Sequence, residues 1–85
     1  MGLKARYNRV GDELIVKQEG CQIINSKESE GDCNLILNYD RAGKTVGIHL
    51  LNASDLEFNP EYVDDYPLPE SYKTVIRQAL QLNTP

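Results

Sequence analysis

Tryptophan is absent, and methionine, phenylalanine and histidine occur once each. No apolar run approaches the roughly 18 residues that a membrane-spanning helix needs. The first residues, Met1 to Tyr7, lack the apolar core and small-residue cleavage site of a secretion signal. A cytoplasmic protein without a membrane partner is therefore expected. A single histidine, with no paired cysteines at ligand spacing, does not specify a zinc site. Cys21 and Cys33 are too few for a disulfide framework, and in a reducing compartment both are expected as thiols, with a bridge or redox pair as the alternative. Positive charge is also scarce. Lys4, Arg6, Arg9 and Lys17 form only a scattered basic set in a chain of net charge −4 and pI near 4.8. Neutralising phosphates takes a basic stripe, so nucleic acid is not expected as a partner.

What is present is enough for a small globular unit. The 85 residues are 40 % hydrophobic, too apolar for a disordered chain. A single domain over 1–85 is expected, and a domain of that size buries only about 60–65 % of the surface its unfolded chain exposes. The clearest local pattern is Asn34 to Leu51. Leu35, Leu37 and Tyr39 alternate with Ile36 and Asn38, and Val46, Ile48 and Leu50 alternate with Gly47, His49 and Leu51. That period of two belongs to pleated strands. Between them, Asp40 suits the first position of a type I turn, and Gly43 can close it from the left-handed region.

A first hairpin is expected from Leu3–Tyr7 and Glu13–Gln18, reversed over Asn8–Asp12. Cys21–Asn25 is a candidate short strand, and the polar run Ser26–Asp32 reads as an exposed loop. Beyond Leu51, Asn52, Ser54 or Asp55 suits a helix cap. Asn59-Pro60-Glu61 reads as a helix start and Pro67 as its stop. Pro69 opens another helix, in which Tyr72, Val75, Ile76, Ala79 and Leu80 form an apolar stripe. The expected class is α+β: an antiparallel sheet of about four strands, in two hairpins over residues 3–51, and an amphipathic helical segment over 59–82.

Tyr7, Asp12, Tyr39, Asp40, Gly43, Val46, Gly47, Ile48, Ala53 and Ser54 together resemble the pattern of a small prokaryotic family, domain of unknown function 2283. The resemblance spans about Leu3 to Leu56. Asn8, Asn38 and Asn52 stand where that family tends to carry aspartate, and His49 where it tends to carry glutamate. The resemblance implies a small antiparallel sheet followed by helical structure, with no assigned reaction. Some members resemble the smaller partner of toxin–antitoxin-like gene pairs, which implies a protein-binding role.

No nucleophile–base pair is specified by the residues, and no catalytic, cofactor or metal residue is assigned. His49 reads as a surface or interface side chain, with a ligand or base as the alternative. The acidic run Asp55, Glu57, Glu61, Asp64 and Asp65 lacks calcium-loop spacing and reads as a solvated face. Phe58, Tyr62, Tyr66 and Tyr72 recur about one helical turn apart, which suits core packing, self-association or contact with a foreign partner. His49 and these four aromatics are the candidate contact residues. The expected function is a non-enzymatic self-association or protein-interaction module. Two alternatives stand: an antitoxin-like binder of a small basic protein, and a small metal-dependent or hydrolytic enzyme using His49.

Overall fold

The computed structural model describes residues 2–82, with the backbone alone at Asp32 and Cys33. Five strands, β1 (Leu3–Asn8), β2 (Glu13–Gln18), β3 (Asn25–Ser29), β4 (Asp32–Tyr39) and β5 (Thr45–Leu51), precede three helices. These are α1 (Asp55–Phe58), α2 (Tyr62–Asp65) and α3 (Glu70–Ala79). The strands form one antiparallel sheet in the order β1-β2-β5-β4-β3. The last strand to be made lies at the centre, between β2 and β4.

Both expected hairpins are present. In the β4–β5 turn the Asp40 carboxylate accepts from the amides of Ala42 and Lys44, both at 2.9 Å, and Gly43 adopts φ 82°. The register steps from Asn38↔Gly47 to Tyr39↔Thr45, which leaves Val46 as the extra residue of a bulge. In the β1–β2 turn the Asn8 side chain accepts from the Val10 amide, and Asp12 takes φ 52°. Aspartate tolerates that left-handed region better than most residues.

The sheet has five strands rather than four, and the difference lies between residues 21 and 32. Residues 21–24 are a connection, and the polar run after them is an edge strand instead of a loop. β3 buries only Ser29, and its other four residues are exposed. An edge strand with both faces wet has no hydrophobic period to announce it, because backbone pairing to β4 and a polar bond from Ser26 Oγ to Asn38 Oδ1 at 2.7 Å hold it, with no apolar side chain of its own. Of the two cysteines, Cys21 is a half-buried free thiol, and the Cys33 side chain lies outside the described residues.

One sheet face carries the core. Register brings Leu14 and Leu35 opposite Leu50, and Val16 and Leu37 opposite Ile48. Leu56, Val63, Tyr66, Leu68, Tyr72 and Ile76 from the helical layer complete the buried cluster. α3 lies over β1 and β2 and against α2. The expected stripe is its inner side: Tyr72 and Ile76 are fully buried, while Val75, Ala79 and Leu80 line the margin. α2 begins at Tyr62, slightly later than Asn59-Pro60 indicated, and no side chain caps it. Arg77 joins the two helices, bonded to Glu70 and Asp64, and Lys73 Nζ donates to the Asp64 carbonyl at 2.8 Å.

Candidate functional site

With the helices on one face, the other face of the sheet is left uncovered. Its composition follows from strand parity and register. A central row crosses all five strands as Arg6, Ile15, His49, Ile36 and Glu28, each directly opposite the next. Ile15 is 38 % exposed, Ile36 and Leu51 are half-buried, and Arg6 and Glu28 at the two ends are exposed. Lys4 lies opposite Lys17 in the neighbouring row, and with Arg6 and Ile15 these two border a shallow depression. Three of the four basic residues that look scattered in sequence, Lys4, Arg6 and Lys17, thus gather at one corner, with Glu19 beside them. Directly opposed like charges disfavour a strand pair, so this corner costs the isolated fold stability.

His49 does not stand alone. Its Nε2 lies 2.5 Å from Glu13 Oε2, each side chain being about one-third exposed (32 %). Glu13 reaches it diagonally, since Glu13 faces Leu51 and His49 faces Ile15. With its proton on Nε2, the imidazole donates to the carboxylate. The register positions beside His49 are Ile15 and Ile36, which supply no nucleophile. Among the described residues no group of three His, Cys, Asp or Glu side chains converges as a metal cage would require.

The four aromatic candidates divide. Tyr66 and Tyr72 are core residues, 4 % and 3 % exposed, which removes them from any contact surface of the folded chain. Phe58 and Tyr62 point outward, 81 % and 51 % exposed, beside the acidic residues of α1 and α2. The Tyr72 hydroxyl is buried without a hydrogen-bond partner, and burial pushes its pKa up. The sequence spaces the four about one helical turn apart. In the fold they fall on three helices, Phe58 on α1, Tyr62 and the cap Tyr66 on α2, and Tyr72 on α3, so no common face is kept.

A second polar cluster escaped sequence reasoning. Asp12 Oδ1 accepts from the Tyr7 hydroxyl at 2.6 Å and from the Ser54 amide at 2.9 Å, and Oδ2 accepts from Ser54 Oγ at 2.5 Å. Its backbone carbonyl accepts from the Ala53 amide at 3.0 Å. The Ser54 bond first, then the Tyr7 bond, hold the Asp12 carboxyl below the usual carboxylate range. The same bond raises the Tyr7 phenol. This clasp joins the β1–β2 turn to the start of the helical layer, so the Ser54 hydroxyl serves Asp12 and does not cap α1. The one available sign was that Tyr7, Asp12, Ala53 and Ser54 all belong to the resemblance.

The chain is similar to the uncharacterized protein MJ0789 of Methanocaldococcus jannaschii, 38 % identical over 68 residues. That match takes in 80 % of this chain and 53 % of the relative, so the chain spans about half the length of the curated relative it matches. No protein-family model matches the chain, and no solved structure does. No helix among the described residues is long and apolar enough to cross a membrane.

Proposed function

We propose that the chain is a non-enzymatic, cytoplasmic interaction module whose contact surface is the sheet face opposite the helices. The observation that carries this reading is the half-exposed apolar centre Ile15, Ile36 and Leu51 on that face. An apolar centre rimmed by charge is the anatomy of a protein-contact surface. The His49–Glu13 pair fits the same role, because two mutually satisfied polar groups are cheaper to cover than either alone.

An antitoxin-like role, suggested by the resemblance to domain of unknown function 2283, is the second reading. It draws on a different place: exposed Phe58 and Tyr62 beside Asp55, Glu57, Glu61, Asp64 and Asp65, an aromatic and acidic surface suited to a small basic protein. An enzyme built on His49 and Glu13 is the weaker alternative, because apolar side chains flank the pair.

Co-purification from the native host, with mass spectrometry and light scattering, separates these. Ile36→Lys on the sheet face is expected to release whatever is bound, self or partner, with thermal stability little changed. Phe58→Ser with Tyr62→Ser is expected to leave the complex intact. Loss of the complex only in the second variant would move the function to the helical layer. An unchanged complex in both would remove both contact surfaces, and the absence of any complex with the unaltered chain would remove the interaction reading.

A further inference from the structure

The central row of the uncovered face reads, strand by strand, as cation, aliphatic, histidine, aliphatic, anion: Arg6 on β1, Ile15 on β2, His49 on β5, Ile36 on β4 and Glu28 on β3. Turned end for end, the row is its own electrostatic complement. At about 4.8 Å per strand, Arg6 and Glu28 lie roughly 19 Å apart. They cannot meet within one chain, and neither makes an ion pair or side-chain hydrogen bond among the described residues.

We propose that this face closes on the same face of a second copy, about a two-fold axis running along β5 above His49. Resting on the interaction reading above, it names the partner. Such an axis reverses the row and keeps the strand direction. Arg6 then meets Glu28 of the other copy, Ile15 meets Ile36, and His49 meets His49. The neighbouring rows agree: Lys17 comes opposite Asn38, and Glu13 opposite Asn34. An axis running across the strands would instead place Arg6 on Arg6 and Glu28 on Glu28. Isologous contacts require such self-complementarity, and the charge order selects one axis. Sheets packed face to face cross at about 30° because each is twisted, so the axis lies within about 15° of β5.

The size of the face sets the strength. Five strands span about 24 Å and their length is about 20 Å, so the pair buries on the order of 1,000 Å² in total. That is the lower limit for a specific interface, and a dissociation constant in the micromolar range is expected.

The test is sedimentation equilibrium of the whole chain with charge-reversed variants. Arg6→Glu alone and Glu28→Arg alone are each expected to weaken self-association by about tenfold, since symmetry turns both salt contacts repulsive. The double variant is expected to recover most of it. An equimolar mixture of the two single variants is expected to form a heterodimer, because every contact is then complementary. Circular dichroism of each variant guards against unfolding. A chain that stays monomeric up to about 500 µM, or a dimer indifferent to both reversals, overturns the proposal. A monomer that still loses a foreign partner through Ile36→Lys would overturn this assembly while leaving the interaction reading in place.

Discussion

At the scale of single residues, Asp12 joins two distant parts of the sequence: both its carboxylate oxygens accept from Ser54, 42 positions away. Its folded-state pKa lies below the unfolded value. The clasp's stability is therefore complete above about pH 4, the ordinary aspartate value, and is lost as pH falls through the lower folded value. Asp12→Asn is expected to cost about 1 kcal/mol at neutral pH, the low end for bonds to a charged group because this carboxylate is partly solvated. Urea denaturation at pH 7 and pH 3 should show the penalty shrinking in acid. Gly47 is fixed by a different constraint. A Cβ there would meet the Val16 carbonyl oxygen at 3.0 Å and Asn38 Nδ2 at 3.3 Å, and the first is backbone in the sheet centre. Gly47→Ala is expected to destabilise by about 1–3 kcal/mol, as overpacking does. Tyr72→Phe has the opposite sign. It removes a buried hydroxyl with no partner, so the same denaturation should show no loss and a gain of up to about 1 kcal/mol.

At the scale of elements, the sheet is unequal across its width. β5 is paired on both sides and contributes Val46, Ile48 and Leu50 to the buried set. β3 is paired on one side and buries only Ser29. Local opening follows buried contact. Amide hydrogen exchange is expected to be slowest in β5 and its neighbours β2 and β4 and faster by orders of magnitude in β3 and α1; equal protection of β3 and β5 would contradict this. α3 was legible because its stripe keeps a helical period over several turns. β3 was not, because a strand held by backbone pairing and a polar side-chain bond leaves no hydrophobic mark. The row on the uncovered face was half legible: alternation put Ile36 on the same side as Asn38, and Gly47, His49 and Leu51 together, yet only pairing could show Arg6 and Glu28 at opposite ends.

At the scale of the whole molecule, one small chain covers one face of its sheet and leaves the other to solvent or to a partner. Mass action makes the outcome visible in stability. If the uncovered faces associate, the thermal midpoint rises with protein concentration, and scans across a hundredfold range in concentration should show a shift that Ile36→Lys abolishes. A midpoint independent of concentration in both proteins would count against association. Through Asp12 and Ser54 the β1–β2 turn also positions the start of the helical layer, so damage to the clasp is expected to loosen the helices rather than the hairpins.

By itself the sequence determined what depends on neighbours along the chain: the two hairpins with Asp40 and Gly43 in their turn, the α+β class, and the inner stripe of α3. Those features rest on side-chain period and turn chemistry, which act over a few residues. Tertiary structure alone decided the insertion of β5 between β2 and β4, the strand at 25–29, and the division of Phe58, Tyr62 and Tyr66 between surface and core. It also brought His49 to Glu13 and Ser54 to Asp12, pairs 36 and 42 residues apart. Contacts at such separations follow from strand order and register, and many strand orders are compatible with the same local pattern of apolar and polar residues.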